Sequence, residues 1–286
     1  MRRREFVLGS LALYGAAALR GDGMRAVASG MMAGHRFGVK ALAFDVFGTV
    51  VDWRGSIVRE GEEWGRAKGL QLDWGKFADR WREGYTPMME KVRKGTLPWM
   101  KLDALHRMIL DELLVEFQIE GLSEDEKEHL NHVWHRLKPW PDAVRGLERM
   151  KKNYVLATLS NGNVSLLVEM AKNAGLPWDA VLSAELFHHF KPDREVYLGA
   201  ADLLGCKPAE VMMVAAHPGD LRAAQDCGLR TAFVARPLEN GPGKEAAASG
   251  ESKTQVHNSN ANLGHPADFP ADVSARDFLE LAEKLG

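Results

Sequence analysis

An α/β fold, a Rossmann-like doubly wound parallel sheet carrying an inserted all-helical block, is predicted by three observations. Apolar runs of strand length alternate with helical patterns from about residue 139 to 236, the signature of parallel βαβ units with right-handed crossovers. A short apolar run, Val39 to Phe44, stops at one carboxylate, Asp45, with Gly48 and Thr49 just beyond it. Open α/β sheets carry their chemistry at the carboxyl ends of strands, and burying an unpaired carboxylate for packing alone is costly. Between that strand and the alternating region lie about 80 residues with helical periodicity and no strand signal.

The elements follow in order. Residues 1–36 are excluded from the fold. Arg2-Arg3-Arg4 precedes an apolar, small-residue run from Gly9 to Leu19, with small residues again near Ala26-Val27-Ala28. This is the layout of a twin-arginine export signal, which places the mature protein in the periplasm. The other reading is an extension outside the fold, with translation starting at Met24 or Met31 and a cytoplasmic protein. The run is too short to span a bilayer.

After the first strand (39–45), residues 55–68 are helical, with Trp64 on the expected buried face. Residues 73–95 repeat apolar side chains at spacings of three and four behind Asp73, a plausible N-cap. Residues 99–118 repeat the pattern, and Ser123-Glu124-Asp125-Glu126 opens a fourth helix as a capping box. After Pro141 come a helix (142–152), a strand (154–159), a helix (164–174) and a short strand (180–182). Helix 194–204, strand 211–214, helix 221–227 and strand 230–235 complete the alternation, and 272–285 is a docking helix. Residues 37–54 and 138–286 thus form the sheet domain and 55–137 the insertion. Residues 240–264, rich in Gly, Ser, Asn and Ala, read as a flexible loop within it.

Composition narrows the function. Of 286 residues, 45% are hydrophobic and 27% charged, and 37 basic against 39 acidic residues leave a net charge of −2. That balance argues against nucleic acid or an anionic membrane as partner and leaves homodimerisation open. Two cysteines, Cys206 and Cys227, make neither a disulfide framework nor a zinc site. His129, His132 and His135 spread over about 120° of a helix, too wide for one metal face, and read as solvated.

Four strand ends or following loops carry polar groups: Asp45, Ser160-Asn161, Lys191 and Asp220. Gathered in one crevice, they suit covalent catalysis. Asp45 serves as nucleophile, Lys191 keeps it ionised, Ser160 and nearby N–H groups bind an anion, and Asp220 positions or activates water.

These segments resemble the haloacid dehalogenase superfamily. Asp45-Val46-Phe47-Gly48-Thr49, Leu159-Ser160-Asn161-Gly162, Lys191-Pro192 and the segment around Asp220 match its four motifs in order, over residues 38–236. The resemblance makes the helical insertion a cap. Phosphatases of the superfamily carry a second Asp two residues after the nucleophile, for the leaving-group proton and magnesium. Phe47 stands there, so the site resembles the metal-independent, cofactor-free L-2-haloacid dehalogenases. On this likeness Arg82 receives the halide or steers the substrate anion. Phe47, and Trp99 if it is not simply cap core, lines a halogen pocket. Thr49, Ser160, Asn161 and Tyr197 belong to the binding site. The implied reaction turns short L-2-haloalkanoates into D-2-hydroxy acids through an aspartyl ester. The family's Ser-Ser-Asn-x-x-Asp is replaced by Ala215-Ala216-His217-Pro218-Gly219-Asp220. His217 either places or deprotonates the hydrolytic water or fills the space of the Asn. The alternatives are another hydrolase of this fold, such as a phosphatase, or a non-catalytic binding module.

Overall fold

The structure is a computed structural model that describes residues 36–242 and 269–286. The expected leader lies outside these residues but for Arg36, as does the expected loop 240–264 beyond Pro242. Among the described residues no helix is long and apolar enough to cross a membrane.

Six strands form one parallel sheet in the order β5-β4-β1-β6-β7-β8. They are β1 (Ala41–Phe44), β4 (Val155–Ser160), β5 (Ala180–Ser183), β6 (Val211–Ala215), β7 (Arg230–Val234) and β8 (Val273–Ala275). Period-two alternation decides the two faces. Leu42 and Phe44 pack with Leu147, Leu167 and Phe278, which lie on α5 (Ala143–Met150), α6 (Val164–Ala174) and α9 (Phe278–Leu285). Ala41 and Ala43 face the other way, onto Val196 and Leu221 of α7 (Arg194–Leu203) and α8 (Pro218–Asp226). The sheet is covered on both sides. Successive strands grow outward from β1 in opposite directions, so its carboxyl end is the switch point where such folds open a crevice.

The helical block between β1 and the alternating region comprises α1 (Trp53–Lys68), α2 (Trp74–Arg93), α3 (Leu102–Glu116) and α4 (Glu124–Asn131). Its starts are capped as the sequence suggests. Asp73 accepts from the Lys76 N–H at 2.9 Å, and Ser123 and Glu126 form a reciprocal capping box. The block has no separate interior. Phe47 meets Trp134 edge-on at 5.7 Å, Trp134 stacks on Trp53 at 6.3 Å, and Trp81 meets Trp134 edge-on at 5.6 Å. One continuous hydrophobic cluster therefore runs from the sheet into the block.

Three segments differ from expectation. Two two-residue strands, β2 (Val51–Asp52) and β3 (Lys138–Pro139), pair antiparallel where the chain enters and leaves the block. Strands this short carry no periodicity, and Pro139 reads as a breaker. The C-terminal segment expected as one helix begins with β8, and α9 starts only at Phe278, where Asp277 accepts from the Glu280 N–H at 2.8 Å. His135 is not on a solvated face. It is buried in a 3₁₀ turn between Glu169 (2.8 Å) and Asp103 (3.1 Å), because the helix ends at Asn131 and the turn rotates the ring inward. Cys206 and Cys227 are free and half-buried.

Candidate active site

Asp45 closes β1. Its N–H still donates to the Val214 carbonyl at 3.0 Å, and the chain then turns through Gly48 (φ 86°). The neighbouring strand ends bring the partners. β4 delivers Ser160 and Asn161, the loop before α7 delivers Lys191, and the junction of β6 with α8 delivers His217 and Asp220.

Both Asp45 oxygens are braced. Lys191 Nζ lies 3.0 Å from Oδ1, while Oδ2 accepts from Thr49 Oγ1 at 2.6 Å and lies 3.0 Å from His217 Nδ1. Thr49 is itself fixed by the Ala216 N–H at 2.9 Å. Lys191 Nζ also reaches Asp220 Oδ2 at 2.6 Å, and Tyr197 donates to Asp220 Oδ1 at 2.5 Å. Burial by itself would raise the Asp45 carboxyl, but Lys191, His217 and Thr49 hold it far below the usual carboxylate range. Burial likewise pushes Lys191 down, and Asp220 and Asp45 more than reverse this. Asp220 ends above its ordinary value, because burial and the Asp45 charge outweigh its lysine. The result is an ionised carboxylate that is 7% exposed.

A cavity of about 300 Å³ opens over this group. Asp45, Asn161, Lys191, His217 and Asp220 line it from the sheet side; Arg82 and Tyr85 of α2 line it from the block. The Arg82 guanidinium lies 4.3 Å over the Tyr85 ring and 5.6 Å from Trp53. Its Nη1 is buried without a hydrogen-bond partner among the described residues. Tyr197 also borders the cavity, with its hydroxyl committed to Asp220.

Three expected binding residues sit elsewhere. Ser160 is fully buried, and its Oγ accepts from the Gly162 N–H at 3.1 Å, so it braces the turn after β4 and does not line the cavity. Phe47 is buried behind the cavity, against Trp134 and the His106 ring at 6.4 Å. Thr49 spends its hydroxyl on Asp45 and the Ala216 N–H and is shut off from solvent. Trp99 stacks on His188 and meets Phe190 at a tilt at the seam between block and sheet. Asn161 does reach the cavity. Its Oδ1 accepts the Lys191 N–H at 2.7 Å, which ties the second strand end to the third.

A family model for haloacid dehalogenase-like hydrolases matches residues 39–228. The chain belongs to this family. Among curated relatives, the hydrolase is 30% identical over 202 residues to (S)-2-haloacid dehalogenase 4A of Burkholderia cepacia, covering 69% of this chain and 84% of that one. It is also 30% identical over 220 residues to the (S)-2-haloacid dehalogenase of Xanthobacter autotrophicus, covering 69% and 76%. Among solved structures it resembles the L-2-haloacid dehalogenase PA0810 (45% identity, TM-score 0.77, 86% of this chain and 98% of that one). It likewise resembles the defluorinating L-2-haloacid dehalogenase Rha0230 (42%, 0.77, 86% and 95%).

Sequence reasoning missed one buried charge of the hydrolase. Glu239, in the loop after β7, is 4% exposed and accepts from Trp53 Nε1 at 3.1 Å. Its oxygens lie 3.0 and 3.1 Å from His217 Nε2. A lone Glu followed by a Gly-, Ser- and Ala-rich stretch of sequence gives no periodic or motif signal. Gly48 is the trace it leaves in the sequence, since a Cβ there would lie 2.1 Å from Glu239 Oε1. Gly48→Ala is expected to cost about 2 kcal/mol or more, combining positive-φ strain with that clash. A drop of several degrees in Tm checks it, and an unchanged Tm contradicts it.

Proposed function

We propose that the hydrolase cleaves the carbon–halogen bond of short L-2-haloalkanoates and releases D-2-hydroxy acids. The observation that carries this reading is the Asp45 carboxylate, kept ionised on a cavity floor, with Arg82 lining the same cavity and its Nη1 buried without a hydrogen-bond partner among the described residues. The relatives named above support it, as does the aromatic Phe47 where related phosphatases place an acid.

An Asp45 oxygen attacks Cα opposite the halogen, forming an O–Cα bond as the halide leaves with the bonding pair. Arg82 stabilises the developing halide. Lys191 orients the nucleophile, Asp220 and Tyr197 orient Lys191, and Asn161 meets the substrate carboxylate. Water then attacks the ester at its carbonyl carbon, which leaves Cα inverted, and His217 accepts the water proton.

Chloride release from L-2-chloropropionate, undiminished by EDTA, is the expected result. One turnover in H₂¹⁸O should place label in Asp45, read by peptide mass spectrometry. No halide from a panel of small 2-haloacids would sink the proposal, and Mg²⁺-dependent phosphate release would favour a phosphatase. Arg82→Ala should lower kcat/KM by about 10²–10³-fold. A change below about threefold would remove Arg82 from the leaving-group site.

A further inference from the structure

His217 sits between two buried carboxylates. Its Nδ1 is 3.0 Å from Asp45 Oδ2, and its Nε2 faces both oxygens of Glu239. Burial lowers the affinity of this ring for a proton, but Glu239 and Asp45 more than compensate and push its pKa up to about 10. Other charges act at one remove. Arg82 acts on Glu239, while Lys191 and Asp220 act through Asp45. In the resting enzyme His217 is therefore an imidazolium with no lone pair to offer a water. Ester formation changes its surroundings, because the Asp45 charge disappears while Glu239 remains.

We propose that Glu239 is the positioning residue of a base that the first half-reaction switches on. By accepting Nε2–H it aims His217 Nδ1 at the Asp45 ester carbonyl, and loss of the Asp45 charge lets Nδ1 release its proton and then take one from water. This rests on the dehalogenase reading and on His217 within it.

The protons balance. Alkylation converts the carboxylate and the haloacid into ester and halide, and His217 then gives one proton to solvent. Water adds to Cγ while Nδ1 takes one of its protons. The Cγ–O bond to the substrate breaks, and His217 protonates the departing alkoxide. Asp45 is left as the acid and returns its proton to His217, restoring the ion pair. The sum is haloacid plus water to hydroxy acid, halide and one proton. Trp53 serves the arrangement by fixing Glu239, which otherwise has rotamer freedom to lose contact with the ring.

The test separates the two half-reactions by rapid quench with L-2-chloropropionate, following the chloride burst and then hydroxy acid. In the wild type the burst should be flat between about pH 5 and 9, while ester hydrolysis rises with pH along a single titration. In Glu239→Gln the burst should stay within about threefold, and ester should accumulate on Asp45. Its hydrolysis plateau should fall about tenfold or more, and the midpoint should move down by about one pH unit, since the anion that favours the imidazolium is gone. A merely structural role leaves the midpoint where it was. Equal hydrolysis rates and midpoints in the two enzymes overturn the assignment. So does a pH-independent hydrolysis step in the wild type, a measurement that needs no variant to fold. A wild type that releases no chloride overturns the dehalogenase reading and this assignment together; a chloride burst with unaltered hydrolysis in Glu239→Gln overturns this assignment alone.

Discussion

Asp45→Asn is expected to end halide release, with a loss of at least about 10⁴-fold in kcat for L-2-chloropropionate. A neutral amide has neither the charge nor the basicity to displace halide at carbon. The fold should survive, because each cation around Asp45 keeps a second carboxylate. Lys191 retains Asp220, and His217 retains Glu239. The measurement is ion-chromatographic halide release with thermal unfolding as control. Turnover at even one per cent of wild type in a correctly folded Asp45→Asn protein contradicts nucleophilic catalysis by this residue.

Lys191→Met is the second large effect, and it differs in kind. Lys191 is the cation shared by two buried carboxylates, at 3.0 Å from Asp45 and 2.6 Å from Asp220. Removing it leaves like charges side by side, at a cost of about 3–5 kcal/mol, because an uncompensated buried charge costs more than the pair contributed. The pair relieves this by binding a proton, which the already raised Asp220 takes, while Asp45 keeps its charge beside His217 but loses the cation that orients it, so activity falls by at least about 10³-fold.

The pH dependence has a definite sign. In the wild type the lowered Asp45 carboxyl contributes stability that is present above its unfolded value near pH 4 and is lost as pH falls toward the folded value. In Lys191→Met the Asp220 carboxyl, already raised, is raised further. Its stabilising proton is present below about pH 4 and is lost as pH rises through the raised value. Acidification from neutral pH should therefore narrow the stability gap between variant and wild type. Urea denaturation at several pH values checks this, and a constant gap contradicts it.

Much of the fold was legible because periodicity reports burial. The Val39–Phe44 run, the alternation after Pro141 and the capping box at Ser123 each follow from local rules that tertiary packing did not override. β2, β3 and β8 were not legible. Their two or three residues owe their conformation to a partner strand distant in sequence. His135 was misplaced for a related reason: helical angles no longer apply once α4 gives way to a 3₁₀ turn.

The candidate site divides in the same way. Asp45, Asn161, Lys191, Arg82, His217 and Asp220 share one cavity, as strand-end placement in a parallel sheet predicts for most of them. Ser160 shows the limit. A hydroxyl at a strand end is one rotamer away from serving either the ligand or its own turn, and here it serves the turn.

Residue type at fixed spacing was enough for the sheet, for the strand-end carboxylate Asp45 and for the departure from the phosphatase pattern at Phe47. Which polar groups face the cavity and which brace it from behind follows from packing between distant segments. That packing alone brought Trp53 onto Glu239, 186 positions away, and Glu239 onto the His217 imidazole. Long-range charge pairs leave no periodic trace in a chain, yet in a buried site the surrounding charges decide whether His217 holds a proton or takes one.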